Sequence, residues 1–178
     1  GVRVLTLTGP GGIAKTRLAL QAAAECSRSF PDGLWWVSLS PLTDPRLALS
    51  ALATPLGVDE RPDRSLADDI VNQLGRGSSL VLLDNAEHLL PALAGELAGV
   101  FRDAEGATFL ITSRSPLHVD AEYEFSVPAM TPGDAERFVI SRGNAVGVHV
   151  ESSTALTDLC QRLDHLPLAM QLAAARLK

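Results

Sequence analysis

Eight residues near the N-terminus, Gly9-Pro10-Gly11-Gly12-Ile13-Ala14-Lys15-Thr16, bring a cation and a hydroxyl to the end of a glycine-rich backbone. They follow the apolar run Val2, Val4, Leu5, Leu7 and precede Arg17-Leu18-Ala19-Leu20, an order that reads as strand, glycine loop, helix. Such a loop offers consecutive backbone N–H groups to an anion, and the helix behind it adds the partial positive charge of its N-terminus. The candidate phosphate cradle therefore runs from Gly9 to Arg17. Lys15 is placed to reach the β- and γ-phosphates of a nucleotide, and the Thr16 hydroxyl to take one position on a magnesium ion. The spacing is that of G-x-x-x-x-G-K-[ST] with one departure: Ala14 stands where the pattern has its second glycine. If the loop holds this residue at positive φ, its Cβ costs about 1–2 kcal/mol, enough to weaken binding about tenfold. The bland alternative is a glycine-rich turn that merely opens a helix.

A carboxylate suited to the same metal lies further along. Leu80-Val81-Leu82-Leu83 is an apolar strand that delivers Asp84 at its C-terminal end, the edge at which ligands sit in open parallel sheets. Asp84 would hold magnesium directly or through water, as a Walker B acid does; the alternative is an aspartate that caps the next helix. Ala107-Thr108-Phe109-Leu110-Ile111-Thr112 is another buried strand, and Ser113-Arg114 follows it. Should that strand lie between the other two, Arg114 and the hydroxyls at the strand's end would face the γ-phosphate; otherwise Arg114 is a solvated surface cation.

The elements that must position these groups follow from periodicity. Leu18, Ala19, Ala22, Ala23 and Cys26 recur at helical spacing to about Ser29. Leu34-Trp35-Trp36-Val37-Ser38-Leu39 reads as a buried parallel strand with its tryptophans in the core. Asp44 and Pro45 cap a helix to about Leu56 that Gly57 ends, and Ser65 with Asp68 opens another through Leu74. A helix from about Leu89 to Phe101 links the Asp84 strand to the next, and the alternation in Tyr123–Val127 marks a last strand at the sheet edge. Past Pro128 no strand is evident, and Asp134–Gly143, Ser152–Leu163 and Pro167–Leu177 read as helices. Their apolar faces are expected at Leu156, Leu159, Cys160, Leu163 and at Leu168, Leu172, Ala175. The predicted fold is α/β, a three-layer αβα P-loop NTPase domain with a parallel sheet over residues 1–128, and a small helical subdomain over 129–178.

Bulk properties narrow the functions. A net charge of −6 leaves this segment without the general basic surface that a nucleic-acid backbone requires. Cys26 and Cys160 form no disulfide framework or zinc motif and read as buried thiols of a reducing cytoplasm. His88, His118, His149 and His165 are too scattered for a metal site. No apolar run reaches membrane-spanning length, and the N-terminus lacks a signal peptide. The chain begins at Gly1 and stops at Lys178 within a helical pattern, which reads as a piece of a longer protein.

With these residues in view, the chain resembles the nucleotide-binding part of STAND-class P-loop ATPases, in the NB-ARC-like branch found in bacterial transcription regulators of the AfsR/SARP and LuxR kinds. The carriers are Leu5-Thr6-Leu7-Thr8-Gly9-Pro10-Gly11-Gly12 leading to Lys15-Thr16, Pro41-Leu42-Thr43-Asp44-Pro45, Leu82-Leu83-Asp84-Asn85-Ala86-Glu87-His88, Thr112-Ser113-Arg114, and Leu163-Asp164-His165-Leu166-Pro167-Leu168-Ala169. The resemblance implies that the Thr112 strand lies between the P-loop and Walker B strands and that Arg114 senses the γ-phosphate. It also implies that Pro167, in the place of the family's GLPL proline, packs near the base, which it favours as adenine. Besides Ala14, His165 replaces the first GLPL residue, and Asn85 stands where many relatives carry a second acid. Asparagine cannot accept a proton, so the general base would be another group such as Glu87, or be absent, and hydrolysis would be slow.

The implied function is an ATP/ADP switch with magnesium, in which nucleotide identity sets conformation and turnover resets it. Implied partners are other domains of a full-length regulator: a DNA-binding effector, a winged helix, a repeat sensor, and copies of itself upon nucleotide exchange. Two alternatives stand beside it. One is a structural module in which Ala14 has impaired binding. The other is a small-molecule phosphotransferase, against which the short Asp59–Arg64 loop makes a poor lid.

Overall fold

The computed structural model describes residues 2–75 and 77–176. By proximity of its backbone the chain forms two compact units, Gly1–Gly9 with Lys15–Ser126, and Pro10–Ala14 with Val127–Lys178.

The first unit is built on a five-stranded sheet: β1 (Val4–Thr8), β2 (Gly33–Ser38), β3 (Ser79–Asp84), β4 (Ala107–Thr112) and β5 (Glu122–Ser126). The spatial order is β2-β3-β4-β1-β5 and every pairing is parallel. β4 thus lies between β1 and β3, as the resemblance implied. Register places Leu83 beside Ile111 and Leu7 beside Thr112, so the C-terminal ends of the three central strands align. Every residue of β3 is buried, which is what an uninterrupted apolar run achieves when both faces of a parallel strand are covered.

Strand alternation sorts side chains between two layers. Val81, Leu83, Phe109 and Ile111 join the main core with Leu52 and Leu56 of α2 (Ala48–Leu56), Ile70 and Leu74 of α3 (Leu66–Leu74), and Leu93, Leu97 and Phe101 of α4 (Ala92–Asp103). On the opposite face, α1 (Lys15–Cys26) runs against β1, β3 and β4 and buries Ala19 and Ala23. Small side chains there let the helix that follows the glycine loop lie close to the sheet. The result is the three-layer αβα arrangement.

Local signals explain most boundaries. Asp44 accepts from the Arg46 amide and opens a 3-10 turn at Pro45–Leu47 that runs into α2, which ends at Gly57 with φ 68. The Ser65 hydroxyl accepts from the Asp68 amide at the start of α3. α4 begins at Ala92 rather than near Leu89, because a 3-10 turn (Glu87–Leu89) and Pro91 intervene.

Three other expectations are corrected. β2 is an edge strand, so Trp36 is 51% exposed while Trp35 packs on the core. Cys26, at the last position of α1, is exposed. In the second unit, α7 (Pro167–Ala174) buries Pro167, Met170 and Ala174, while Leu168 and Leu172 are exposed: the buried stripe is offset from the apolar residues that periodicity selected.

The rest of the second unit comprises α5 (Pro132–Ala145), capped by Thr131, and α6 (Thr154–Arg162), capped by Ser153. Ala135, Val139, Leu156, Cys160, Met170 and Ala174 form its core. The predicted extension of the last helix to Leu177 lies outside the described residues.

Candidate functional site

β1 ends at Thr8 and α1 begins at Lys15, so the glycine-rich stretch is a loop between a strand and a helix. Within it Gly9, Gly12 and Ala14 have φ of 144, 81 and 69. Left-handed residues interleaved with ordinary ones curl a chain into an anion-binding nest. Ala14 meets the condition under which its Cβ is strained. Ile13 donates its amide to Pro10 O at 3.5 Å and buries its side chain, which closes the crest of the loop. Pro10 and Gly11 are exposed, and Arg17, on the first turn of α1, is exposed as well.

Lys15 is buried, and its ammonium donates to Gly9 O at 2.7 Å. Burial pulls its pKa below the ordinary value; Glu87 opposes this, Arg114 adds to it as a like charge, and Asp84 opposes it.

Thr16 and Asp84 are brought together. The Thr16 hydroxyl donates to Asp84 Oδ1 at 2.6 Å, across 68 positions of sequence. The same oxygen accepts from Thr112 Oγ1 at 2.6 Å, and Thr112 Oγ1 in turn accepts from the Asn85 amide at 2.9 Å. Three elements, α1, β3 and β4, meet at one carboxylate oxygen. A hydroxyl and a carboxylate in contact are hard oxygen donors, the set that suits Mg2+, and a nest with a lysine beside it suits a polyphosphate. The residues present fit both groups. Sequence reasoning named the hydroxyls at the end of this strand only as groups that would face a γ-phosphate; the bond from Thr112 to Asp84 is what it did not anticipate.

Asn85 takes φ 66, a conformation asparagine tolerates better than most residues. Its side-chain amide lies 3.3 Å from His88 Nδ1, and His88 Nε2 lies 2.8 Å from Leu42 O. With the proton on Nε2, that nitrogen donates to Leu42 O while Nδ1 accepts from Asn85, so the neutral imidazole satisfies both contacts. Glu87, in the 3-10 turn that follows, accepts from Arg114 Nε at 3.0 Å through Oε1, while its Oε2 is buried and accepts no hydrogen bond among the described residues.

Pro167 lies in the second unit, at the first position of α7. Asp164 and His165 before it have φ of 51 and 53, so the residue in the place of the family glycine again carries a side chain in a left-handed conformation. The Leu168 amide donates to Gly12 O at 3.1 Å. Among the described residues no group of three or more His, Cys, Asp or Glu could hold a metal, and no helix is long and apolar enough to cross a membrane.

Residues 1–120 match the family model of the NB-ARC domain. A Mycobacterium tuberculosis (strain H37Rv) chain named as an HTH-type transcriptional regulator is 35% identical over 183 residues, 99% of this chain and 20% of that one. The regulatory protein AfsR of Streptomyces griseus is 28% identical over 183 residues, 98% of this chain and 18% of that one. The chain thus spans about a fifth of the length of these relatives. Among solved structures, a STAND signal-transduction ATPase with a tetratricopeptide-repeat sensor from Pyrococcus horikoshii is similar, with TM-score 0.61 and 16% identity over 98% of this chain and 28% of that one. Domain III of the Thermotoga maritima replication initiation protein DnaA has TM-score 0.64 and 12% identity over 98% of this chain and 74% of that one. At these identities the likeness is one of fold.

Proposed function

Because the chain belongs to the NB-ARC family, whose model covers residues 1–120, we propose that it is the ATP/ADP-binding switch module of a longer transcription regulator and hydrolyses ATP slowly. The observation that carries the reading is the 2.6 Å contact between Thr16 Oγ1 and Asp84 Oδ1 beside a buried lysine. In this reading the amides of Gly9 to Arg17 receive the phosphates, and Lys15 exchanges Gly9 O for phosphate oxygens. Thr16 and Asp84 hold Mg2+, Arg114 responds to the γ-phosphate and Pro167 packs near the adenine. The metal supplies charge neutralisation on the phosphates. Slow turnover follows from Asn85, an amide already engaged with His88, in the position next to the Walker B aspartate.

Family membership supports the partners as well: a DNA-binding effector, a winged helix and a repeat sensor in the same full-length protein, and nucleotide-dependent self-association. The nucleotide's identity would then set which of these contacts form. Calorimetric titration with ADP and ATP, with and without magnesium, tests the binding. Lys15→Ala should abolish it, and a variant that binds like the parent removes the cradle from the reading.

One observation favours a competing reading. Ala14 at φ 69 strains the loop that must hold the phosphates, which suits a module whose nucleotide affinity has decayed. Chromatography of whatever the denatured protein releases separates the two, since co-purified ADP excludes the second.

A further inference from the structure

Glu87 and Arg114 are 27 positions apart in sequence and form an ion pair through Arg114 Nε and Glu87 Oε1 at 3.0 Å. The pair is lopsided: the glutamate side chain is 17% exposed and the arginine side chain 67%. A mostly buried carboxylate thus has its charge answered by a cation that stands largely in water. Its second oxygen is buried and accepts no hydrogen bond among the described residues. Buried carboxylate oxygens without a donor are uncommon, and they mark places where a water or a mobile group completes the bonding. Arg114 stands two residues past Thr112, whose hydroxyl donates to Asp84 Oδ1 at 2.6 Å, so the pair lies at the same end of β3 and β4 as the Thr16–Asp84 contact. Glu87 therefore stands among the groups proposed to meet the phosphates, tied to the one proposed to sense the γ-phosphate.

We propose that Glu87 is the proton acceptor for the attacking water and that its ion pair with Arg114 is a latch, which opens only when a γ-phosphate draws the guanidinium away. The proposal rests on the nucleotide-switch reading and adds to it how hydrolysis is gated. With ADP the latch stays shut. With ATP, Arg114 trades one anion for another and releases Glu87 Oε1 to a water. The water oxygen bonds to the γ-phosphorus as the bond to the bridging oxygen breaks, its electron pair leaving on ADP. The water's proton passes to Glu87 and from there to the released phosphate. Asn85 takes no part, which reconciles an amide in the second-acid position with residual turnover.

The latch has a signature in binding as well as in rate. ATP must break the ion pair and ADP need not, so removing the glutamate's charge should help ATP alone. In Glu87→Gln, calorimetry with magnesium should give affinity for the non-hydrolysable analogue AMP-PNP about threefold tighter than the parent's, the size of an exposed ion pair's contribution. ADP affinity should be unchanged. Single-turnover hydrolysis of ATP by the same variant should fall at least about 100-fold, the scale of a lost general base. Glu87→Asp, which keeps the charge, should keep the parent's preference between the nucleotides and part of its rate, and so shows that the effect does not come from misfolding. A Glu87→Gln variant that hydrolyses like the parent, or one that shifts ADP and AMP-PNP affinity equally, overturns the latch while leaving the switch reading intact. A parent chain that binds neither nucleotide overturns both.

Discussion

The amide of Leu168 donates to the carbonyl of Gly12 at 3.1 Å, and a Cβ built on Gly12 would lie 3.1 Å from the Cβ of Leu168. Both residues belong to the second unit, so the crest of the glycine loop and the start of α7 are fitted to one another by the absence of a side chain. Gly12→Ala meets two obstacles at once, the contact with Leu168 and a φ of 81. The conformation alone costs about 1–2 kcal/mol. Urea unfolding should register at least that loss. Leu168→Ala should fail to rescue it, because alanine keeps the nearest atom.

Ala14 is the mirror case, a side chain where the loop's conformation favours none. Ala14→Gly removes about 1–2 kcal/mol of left-handed strain but gives back about 0.4–1 kcal/mol to the freer unfolded chain. The net expected gain is about 1 kcal/mol, a rise in melting temperature of about 2–4 °C, with nucleotide affinity moving in the same direction. A melting temperature that drops would mean that the loop has adapted to the methyl group.

Thr112 holds the carboxylate in place. Its hydroxyl both donates to Asp84 and accepts from the Asn85 amide, and the residue is 1% exposed. Thr112→Val keeps the shape and deletes both bonds; Asp84 Oδ1 keeps the Thr16 hydroxyl, but the Asn85 amide loses its acceptor, at a cost of about 1–3 kcal/mol. Thr112→Ser should recover most of the loss in thermal unfolding, and magnesium-dependent nucleotide binding should follow the same order. Equal behaviour of the two variants would show that packing, and not the hydroxyl, is what counts.

The two thiols should part company. Cys26 is exposed and Cys160 buried, and burial, with Glu136 adding to it, raises the Cys160 pKa above its ordinary 9.0. Iodoacetamide followed by mass spectrometry should label Cys26 in the folded chain and Cys160 only after denaturant. The raised pKa also sets a sign. Below the unfolded thiol's value both states are protonated and the contribution is fully present; as pH climbs from there through the folded value, the unfolded thiol ionises first and stability is lost. Cys160→Ser should flatten that decline.

The sheet was readable because parallel strands covered on both faces leave long apolar runs, and β3 ending in Asp84 is the plainest of them. The glycine loop between β1 and α1 was readable because glycines at fixed spacing between an apolar run and a helical pattern have few other uses. What escaped was whatever depends on neighbours distant in sequence. An apolar run does not announce whether it will be flanked by one strand or two, so Trp36 was assigned to a core that the edge strand does not provide. Periodicity gives a stripe on α7 but not the direction from which its partners approach, so Leu168 and Leu172 were placed inward. The pairing of Glu87 with Arg114 has no sequence signature, since it arises where a 3-10 turn and the residue just past β4 arrive together.

The outermost position of β2 also gives the molecule an optical reporter. Trp35 and Trp36 are the chain's two tryptophans, side by side on opposite faces of one strand, the first packed on the core and the second mostly in water. Their ultraviolet emission should be a blend of a shielded and a solvated indole. A melting curve followed by that light would chiefly watch the rim strand let go, and it will match other probes only if the rim and the centre of the sheet come apart together.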